Sequence, residues 1–380
     1  MRITIVGAGP AGLYFALLMK KLDPSHQISI LERDGPDDTY GWGIVFSDRT
    51  LTYLKEADEP THDEISRAFE TWDNVDVVHR GELVTVRGNR FSGIGRVAFL
   101  NILQRRCLSL GVEIRFRTNV PDPASFTGHD LLVGADGANS AVRKTYAEAF
   151  GPQLEPARNK YIWLGTRRLF HGLTLTFRQA EAGVFVAHSY KFNRTTSTFI
   201  VECVGDAWER AGFAAMGEEE TLDALGRIFA DDLQGQPLLS NNFVRWLHFV
   251  IVKNRRWRHE NVVLLGDALH TAHFSIGSGT KLALEDAIAL SRCFAREAEV
   301  GATLSEFERV RKPVVDGLQE AARSSLLWFE NAAARMALDP IPLAYELMTR
   351  SERITHDKLR ERDPEFARRY ERWRDGAQAS

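Results

Sequence analysis

The N-terminal residues place apolar and polar positions in the order strand, helix, strand. Arg2–Val6 is a β-branched apolar run, Pro10–Leu22 carries apolar residues at helical spacing, and Gln27–Leu31 again has the pattern of a strand. Two consecutive strands joined through a helix run parallel, and the connection between them is right-handed. The pattern therefore predicts a β-α-β unit in a parallel sheet that is buried on both faces.

Similar patterns recur at later points of the chain. A helical stripe over Arg96–Leu110 precedes a strand pattern at Val112–Phe116, and a short apolar strand occupies Asp130–Gly134. Another such strand, Asn261–Leu265, leads through a glycine-bearing loop to a helix around Leu282–Arg296. We therefore expect one nucleotide-binding type of fold to be assembled from segments that lie far apart in the sequence.

The middle of the chain has a different pattern, in which apolar and polar residues alternate and β-branched and aromatic residues are common. Alternation of this kind predicts antiparallel strands. The segments with this pattern are Lys160–Leu169, Leu173–Arg178, Gly183–Phe192, Thr195–Val204 and Asn242–Val252, with a hairpin at Val77–Phe91 that we expect in the same layer. After Gly301 the pattern is almost wholly helical.

Together these patterns predict a mixed α/β (α+β) fold in which two domains interleave. A chain of 380 residues is long enough for two such domains. The predicted parts are a Rossmann-like domain with a parallel sheet at 1–75, 92–150 and 258–300, an antiparallel-sheet substrate domain at 76–91 and 151–257, and a C-terminal helical region at 301–380.

Composition and charge exclude several classes of protein. Hydrophobic residues make up 44% and charged residues 26%, as in ordinary globular proteins, and a net charge of −3 offers no basic field to nucleic acid or anionic lipid. Three cysteines without a C-x-x-C pair indicate neither a disulfide framework nor a zinc site, so we expect no metal and a reducing cytoplasm. Glycines interrupt the apolar segment Ile3–Met19, and no apolar run is long enough for a membrane span, so neither export nor membrane association is expected.

The run Gly7-Ala8-Gly9-Pro10-Ala11-Gly12 lies between the first strand and the first helix, as in dinucleotide-binding folds. Its first glycine permits a tight turn, the second lets backbone N–H groups approach a pyrophosphate, and the third allows the helix to pack closely on the strand. At the end of the second strand, Glu32 can accept hydrogen bonds from a ribose hydroxyl. The motif fits FAD and NAD equally, and the residues expected to contact the dinucleotide are Gly7, Gly9, Pro10, Ala11, Gly12, Glu32 and Arg33.

Two further motifs carry a resemblance to a known family. The segment Asp130–Arg143, centred on Asp136-Gly137, resembles the DG fingerprint of flavoprotein aromatic hydroxylases, and Gly266–His270 resembles their GD fingerprint. The resemblance implies that Asp267 hydrogen-bonds the ribityl chain of FAD, a role that suits a carboxylate because it only accepts hydrogen bonds. It also implies that Asp136 lies in the region that contacts both FAD and the reduced nicotinamide, and that Arg96 contacts FAD. The dinucleotide is therefore expected to be FAD.

The loop after the GD motif is rich in glycine and leads into a helix. The resemblance implies that Gly277, Gly279 and Thr280 face the flavin edge on which negative charge develops during reduction. Where the family usually has proline in this loop, the chain has Phe274. By family position, the segment Gly41–Phe46, with Gly43 and Ile44 as cofactor contacts, passes over the flavin ring.

A narrower resemblance extends over nearly the whole chain. It relates the chain to the monooxygenase part of salicylyl-CoA 5-hydroxylases and 2-aminobenzoyl-CoA monooxygenase/reductases, and also to the tryptophan-derived hydroxylase of violacein synthesis. The bifunctional relatives have an additional reductase-like half, so only hydroxylation is expected to carry over. The segments that carry the resemblance are Arg158–Thr166, Ser197–Cys203, Ala272–Gly279, Trp328–Glu330, Arg350–His356 and Arg362–Pro364.

The resemblance also implies a reaction. NAD(P)H reduces FAD, O₂ adds at the flavin C4a atom, and the resulting hydroperoxide delivers oxygen to an electron-rich ring. The expected substrate is an aryl-CoA thioester such as salicylyl-CoA, hydroxylated at position 5. A free indolic or phenolic metabolite is the alternative substrate, and a flavin-binding protein without oxygenase activity is the alternative from another class.

Several residues near the expected flavin are candidates for the chemistry. His270, His273 and Tyr161 are predicted to act in acid–base catalysis, although a histidine in an apolar stretch is often only a core residue. The basic cluster Lys253–Arg258 could receive the phosphates of NADPH or of a CoA thioester, or could be a solvated surface. The predicted walls of an aromatic substrate pocket are Trp42, Phe46, Trp163, His188 and Phe274.

Overall fold

The strands of the protein form three sheets. The computed structural model describes residues 1–241, 245–297 and 299–379. Within these ranges the strands are β1 Arg2–Val6, β2 Gln27–Leu31, β3 Gly43–Ser47, β4 Glu70–Trp72, β5 Val75–His79, β6 Glu82–Val86, β7 Phe91–Gly95, β8 Glu113–Arg115, β9 Leu131–Gly134, β10 Pro152–Thr166, β11 Leu173–Ala180, β12 Gly183–Lys191, β13 Ser197–Val204, β14 Leu238–Leu239, β15 Leu247–Asn254, β16 Arg258–His259 and β17 Val262–Leu264.

Helices cover the sheets and form most of the chain after residue 278. They are α1 Pro10–Leu22, α2 Asp48–Ala57, α3 Glu59–Arg67, α4 Arg96–Ser109, α5 Ala141–Thr145, α6 Ala147–Phe150, α7 Gly205–Arg210, α8 Glu218–Ile228, α9 Ala230–Leu233, α10 Gly279–Phe294, α11 Val300–Glu330, α12 Ala332–Arg335, α13 Pro340–Thr349, α14 His356–Arg362 and α15 Pro364–Ala379. The helices α11 to α15 confirm the helical pattern predicted after Gly301.

The six-stranded sheet has the order β16-β17-β9-β1-β2-β8 and confirms the parallel core of the predicted α/β fold. β1 pairs in parallel with β2 and β9, β9 with β17, and β2 with β8, whereas β16 runs antiparallel to β17. In this register Val6 lies beside Leu31 and Gly134, and Leu264 also lies beside Gly134. The glycine loop, Glu32 and the DG and GD motifs therefore leave the sheet at the same edge.

Helix α1 lies in the middle of this domain. Every residue from Ala11 to Met19 is buried, so other elements must pack against all sides of the helix. The parallel sheet covers one side, and α4 and α10 pack against the others. Because α10 follows the GD motif, this packing fixes the position of the loop that connects them.

The eight-stranded sheet has the order β14-β10-β13-β12-β11-β5-β6, with β15 also paired to β10. Its neighbours are antiparallel except for the parallel pair β11 and β5. Phe199 and Ile162 of one face pack against α7 to α9, while Val77 and Phe177 of the other face pack against α11 to α13. The C-terminal helices thus lie on the same face of this sheet for much of its width.

Several predicted strand segments differ from the structure at their ends, and the strand predicted at Lys160–Leu169 is β10, Pro152–Thr166. The hairpin predicted at Val77–Phe91 is formed by β5 and β6, but Phe91 begins β7 in the small sheet β3-β7-β4. Gly88, at a φ of +72°, turns the chain out of the hairpin before that point. Of the strand predicted at Asn242–Val252, residues 242–244 lie outside the described residues, and β15 begins at Leu247.

Three further observations bear on the composition-based expectations. No helix in the described ranges combines the length and the apolar character needed to cross a membrane. The same ranges contain no group of three or more His, Cys, Asp or Glu side chains that could hold a metal ion. Cys107, Cys203 and Cys293 are buried free thiols.

A buried carboxylate connects the helices around the parallel sheet. Asp58 caps α3 through Thr61 and forms ion pairs with Lys21 of α1 at 2.7 Å and Arg106 of α4 at 3.1 Å. Burial acts to raise the pKa of Asp58, but hydrogen bonds from Arg106, Lys21 and Thr61 outweigh it and lower the pKa to about 2. The ionised carboxylate is therefore stabilised by folding.

We expect the substitution Asp58→Asn to lower the free energy of unfolding by about 1–2 kcal/mol at neutral pH. Because the pKa is depressed in the folded state, this contribution is present above the unfolded-state pKa of about 4 and is lost as the pH falls toward 2. Urea unfolding of wild type and variant should therefore differ less in acid than at neutral pH. Asp63→Asn, at an exposed position of α3, is the matched control. Equal losses from both substitutions would contradict the proposed role of Asp58.

Candidate active site

A cavity of about 890 Å³ connects the edge of the parallel sheet to the face of the eight-stranded sheet. The glycine loop and Glu32 line one end of it, and α13, α14 and the segment between them line the other. Its volume lies within the range of about 300–1,000 Å³ that is usual for small-molecule sites. A dinucleotide end and a substrate end therefore share one continuous space.

The glycine loop brings three backbone segments into direct contact. Gly7 has a φ of +104°, and a Cβ atom there would lie 2.3 Å from the carbonyl oxygen of Ala135 in the DG motif. A Cβ on Gly12 would lie 2.2 Å from the carbonyl oxygen of Gly7. A side chain at either position would push the loop away from its neighbours. Gly12 thus packs the helix onto the loop, whereas Gly7, Gly9, Pro10 and Ala11 line the cavity.

Glu32 holds the glycine loop in place. Its carboxylate accepts hydrogen bonds from the backbone N–H groups of Ala8 at 2.7 Å and Asp34 at 2.9 Å. Glu32 and Arg33 both line the cavity. Because an ionised carboxylate has about four acceptor positions, Glu32 keeps capacity for a ligand hydroxyl.

Arg143 connects the DG motif to the GD motif. Its buried guanidinium donates to the carbonyl oxygen of Ala268 at 2.8 Å and to that of Ala138. Asp136 accepts hydrogen bonds from two backbone N–H groups at the start of α5 through its Oδ2 atom, while its Oδ1 atom is buried without a partner among the described residues. Since Asp136 lines the cavity, this oxygen is available to a hydrogen-bond donor of a ligand.

Asp267 and Arg96 bring opposite charges to the cavity. Asp267 is exposed to the cavity, yet the protein that encloses the cavity raises the pKa of this carboxyl, against the effect of Arg96. Burial likewise lowers the pKa of Arg96, against the effects of Asp267 and Tyr190. The Arg96 Nε atom donates to the Thr39 hydroxyl at 3.0 Å. Enclosure therefore disfavours the charged form of each group, and the attraction between the two groups partly offsets that cost.

The helix after the GD motif presents its N-terminus to the cavity. α10 begins at Gly279, and no side chain caps its first N–H groups. Gly277, Gly279 and Thr280 line the cavity at this point. Unpaired N–H groups and the helix dipole together favour a negatively charged or electron-rich ligand edge.

These features fit FAD in its predicted position. A Cβ on Gly9 would approach no protein atom outside its own neighbours closer than 3.9 Å, so it would project into the cradle where a pyrophosphate fits. The unpartnered oxygen of Asp136 and the uncapped start of α10 offer an acceptor and donors along the same cavity. The predicted cofactor contacts that line the cavity are Gly7, Gly9, Pro10, Ala11, Glu32, Arg33, Gly43, Ile44, Arg96, Asp136, Asp267, Gly277, Gly279 and Thr280.

Beyond the cofactor end, the cavity becomes a largely apolar and aromatic chamber. Of the predicted wall residues, Trp163, His188 and Phe274 line it. Phe274 packs against His188 with ring centroids 5.3 Å apart and against Tyr161 at 5.0 Å. The chamber walls are completed by Leu173, Leu175, Tyr190, Ile200, Phe249, Leu347 and Met348.

Two predicted wall residues lie elsewhere. Phe46 is 1% exposed and packs in the core against Phe69 and Phe99, at centroid distances of 5.8 and 5.4 Å. Phe46 does not line the cavity, although Ile44, Val45 and Ser47 of the same strand do. Trp42 packs beside Phe192 and does not line the cavity.

The predicted catalytic residue His270 lies behind the cofactor end. It is buried, its Nε2 atom lies 2.8 Å from the Asp286 Oδ2 atom, and its ring packs against Trp257. Asp286 also accepts a hydrogen bond from the Gly266 N–H at 3.3 Å and pairs with Arg311 at 2.8 Å. His270 does not line the cavity, and its contacts position the GD turn rather than a substrate.

The other two predicted catalytic residues also lie behind the cavity wall. Burial lowers the pKa of His273 to about 4, and its Nδ1 atom lies 2.8 Å from the Ser275 hydroxyl. Burial raises the pKa of Tyr161 to about 12, which keeps its hydroxyl protonated at neutral pH. Neither residue lines the cavity, because both rings lie beneath Phe274.

The basic residues that line the cavity are not those of the cluster Lys253–Arg258. Lys253 and Arg255 line a separate pocket of about 230 Å³ beside Trp257. The substrate end of the main cavity is lined instead by Arg353, Lys358 and Arg362. Sequence reasoning missed these three because a charged C-terminal helix normally has the pattern of a solvated surface. The narrower resemblance of Arg350–His356 and Arg362–Pro364 was the signal in the sequence that points to this region.

Comparison with known proteins places these motifs in a family. Residues 111–322 match the model of the FAD binding domain. The chain is 40% identical to a salicyloyl-CoA 5-hydroxylase from Streptomyces sp, over 98% of this chain and 74% of that protein. It is 36% identical to a 3-hydroxy-4-methyl-anthranilyl-[aryl-carrier protein] 5-monooxygenase from Streptosporangium sibiricum, over 87% and 89% of the two chains.

Two further similarities complete the comparison. The chain is 35% identical to protodeoxyviolaceinate monooxygenase from Chromobacterium violaceum, over 89% of this chain and 91% of that protein. Among solved structures, a tetrameric form of 2-methyl-3-hydroxypyridine-5-carboxylic acid oxygenase shares the fold with a TM-score of 0.72 at 17% identity, over 95% of both chains. The expected resemblances to CoA-thioester and violacein-pathway hydroxylases are confirmed.

We expect the substitution Gly9→Ala to weaken FAD binding without unfolding the protein. Its Cβ meets no protein atom within ordinary contact but stands in the pyrophosphate cradle. Gly12→Ala should lower both flavin content and stability, because its Cβ would lie 2.2 Å from a backbone oxygen. The measurements are the flavin-to-protein absorbance ratio and the thermal midpoint of the flavin-free protein.

Gly226→Ala is the matched control for these variants. Gly226 lies in α8, and a Cβ there meets nothing within 4 Å. This variant should keep both flavin content and stability. A Gly9→Ala protein with the flavin content of the wild type would contradict the assignment of the cradle.

Proposed function

The chain belongs to the family of FAD-dependent aromatic monooxygenases, and we propose that it hydroxylates the ring of an aromatic acyl thioester with NAD(P)H and O₂. The proposed ring carries a hydroxyl or amino group, and salicylyl-CoA, hydroxylated at position 5, is the first substrate to test. The observation that supports a thioester substrate is a set of cationic side chains without carboxylate partners, in the described ranges, at the substrate end of the cavity.

These cations are Arg353, Lys358 and Arg362, which we call the basic wall. None of them forms an ion pair with a carboxylate within the described ranges. Lys358 donates to the carbonyl oxygen of Arg353 at 3.2 Å, and Arg362 donates to the Asn89 side chain at 3.2 Å. All three line the cavity in a chain whose net charge is −3. Such a local positive surface favours a ligand with negative charge at this end.

A CoA thioester distributes charge in the way this cavity requires. Its phosphates are remote from the acyl group, so they can meet the basic wall while the ring enters the apolar chamber. Conversion of the acid into a thioester also removes the carboxylate charge, which would be costly to bury among apolar side chains. The relatives that act on a CoA thioester and on a carrier-bound acyl group support the same substrate class.

The chain's own residues supply binding, orientation and exclusion of water. The glycine loop, Glu32 and Asp267 would hold the FAD, whose bound form activates O₂ with electrons from the nicotinamide. Phe274, Trp163 and Phe249 would pack around the substrate ring and keep it beside the start of α10. These aromatic side chains would exclude water from the reacting groups.

A free phenolic or indolic metabolite is the second candidate substrate. The similarity to protodeoxyviolaceinate monooxygenase favours it. In that case the basic wall would serve as an ordinary solvated surface and would contribute nothing to substrate binding.

A substrate panel tests these proposals on the purified holoenzyme. NADPH and NADH oxidation and product formation are followed with salicylyl-CoA, 2-aminobenzoyl-CoA, the corresponding free acids and free indoles. We expect product from the thioesters and little from the acids. Product from acids or indoles alone would overturn the thioester proposal, and cofactor oxidation that no ring compound stimulates would overturn the monooxygenase proposal.

Substitution of the basic wall tests the binding of the phosphates. The triple variant R353Q/K358Q/R362Q should raise KM for the thioester by about 10-fold, since each exposed charge pair contributes about 0.2–1 kcal/mol. Added salt should reduce the difference from the wild type. Arg360→Gln is the matched control, because Arg360 lies in the same helix as Lys358 and Arg362 but pairs with Asp357 at 3.4 Å. An unchanged KM in the triple variant would argue against phosphate binding at this wall.

A further inference from the structure

Resting on the hydroxylation proposed above, we propose that His188 accepts the proton of the ring hydroxyl or amino group, and that the buried residue Glu202 positions it for this role. His188 lies in β12 and Glu202 in the adjacent strand β13, on the sheet face that borders the cavity. The pair was not among the catalytic residues predicted from sequence. Its geometry distinguishes it from those candidates.

The contact between the two side chains is short and buried. The His188 Nε2 atom lies 2.7 Å from the Glu202 Oε1 atom, and the side chains are 6% and 1% exposed. The second oxygen, Oε2, accepts a hydrogen bond from the Asn159 amide at 2.8 Å. Both carboxylate oxygens therefore have partners, so the carboxylate is held in one orientation.

Hydrogen bonds keep Glu202 ionised despite its burial. Burial acts to raise its pKa, but interactions that include the hydrogen bonds from His188 and from the Asn159 amide outweigh burial and lower the pKa. Arg350 is a further cation close enough to interact with Glu202. It packs over the Phe329 ring at 5.3 Å and donates to the Ser325 hydroxyl at 2.8 Å.

An ionised Glu202 determines which nitrogen of His188 carries the hydrogen. Because a carboxylate only accepts hydrogen bonds, the Nε2 atom that contacts it must donate. In a neutral imidazole the lone pair is then on Nδ1. Among the described residues, the hydrogen bond of the His188 side chain is made through Nε2, and His188 lines the cavity. A proton acceptor is thus held at the cavity wall.

The imidazole lies among the aromatic side chains of the chamber. Its ring centroid is 5.3 Å from that of Phe274, which directly precedes the loop into α10, and 4.8 Å from that of Phe329 in α11. Another titratable side chain of the chamber wall, Tyr190, already donates to the Gly43 carbonyl oxygen at 2.7 Å. Burial raises the pKa of this tyrosine, so it stays protonated.

The proposed step is a proton transfer without a change of oxidation state. The O–H bond of the ring hydroxyl breaks, an N–H bond forms at Nδ1, and the electron pair stays on the substrate oxygen. The product is a phenolate beside an imidazolium that Glu202 stabilises. The phenolate raises electron density at the ring carbon that receives the oxygen atom, and His188 returns the proton when the hydroxylated ring regains its aromatic form.

The test compares His188→Gln and Glu202→Gln with wild-type holoenzyme. With salicylyl-CoA, His188→Gln should lower the hydroxylation rate by about 100-fold or more, the usual contribution of a general base. The wild-type rate should fall toward acidic pH, because a protonated imidazole has no lone pair for the proton. The variant should lose this dependence and recover rate at alkaline pH, where the phenol ionises unaided.

A second measurement does not depend on turnover. Titration of the bound phenol followed by its ultraviolet absorbance should show phenolate at lower pH in the wild type than in His188→Gln. Glu202→Asp, which keeps the charge, should retain more activity than Glu202→Gln, which keeps the shape. His248→Gln, an exposed histidine of β15, is the control and should behave as the wild type in both measurements.

The outcomes separate this proposal from the one on which it rests. If a ring compound of the panel binds but none is hydroxylated, the proposed function fails, and the absorbance titration still decides the role of His188. A His188→Gln enzyme with the wild-type pH profile and the wild-type ionisation of bound phenol would overturn the role of His188. Greater activity in Glu202→Gln than in Glu202→Asp would overturn the positioning role of Glu202.

Discussion

The site depends on one close approach of backbone to backbone at the edge of the parallel sheet. The carbonyl oxygen of Gly7 occupies the space that a side chain on Gly12 would need, and the carbonyl oxygen of Ala135 occupies the space that a side chain on Gly7 would need. This contact brings the first strand, its helix and the DG motif together, although more than a hundred residues separate them in sequence. Arg143 then joins the DG motif to the GD motif through two carbonyl oxygens, and Asp286 holds the GD turn from the opposite side. The cofactor cradle therefore exists only when the separated segments of the domain have packed.

Charge is distributed along the cavity according to the chemistry at each end. At the cofactor end, Asp136 and Asp267 offer acceptors to hydroxyl groups, and the uncapped start of α10 offers donors. At the substrate end, the basic wall has cations without carboxylate partners in the described ranges, while the chamber between the two ends is largely apolar. Inside that chamber, the buried pair of His188 and Glu202 is a polar group with a defined orientation. A neutral ring with a remote negative charge is the ligand that this arrangement suits.

Three buried histidines differ in whether they border the cavity, and this difference separates structural from chemical roles. His270 and His273 lie close in sequence to the GD motif, but one pairs with Asp286 and the other contacts Ser275, both behind the cavity wall. His188 lies in the middle of an antiparallel strand with no motif around it, yet it borders the cavity and has a carboxylate partner on the next strand. Cross-strand neighbours such as these are close in space because of sheet register, which local sequence does not reveal.

The sequence by itself determined the fold class, the parallel and antiparallel strands, the cofactor and the family. Periodicity, glycine spacing and ordered motifs are local properties, and the predicted cofactor contacts other than Gly12 line the cofactor end of the cavity. Phe46 and Trp42 show the limit of such reasoning, because an aromatic residue beside a cofactor segment can face the core or a neighbouring strand. The sequence predicted His188 in the pocket wall, but only the tertiary structure decided its pairing with Glu202 and which cations lie at the cavity mouth. Those relations depend on how α11 to α14 pack on the eight-stranded sheet, and packing between distant elements leaves no fixed spacing in the chain.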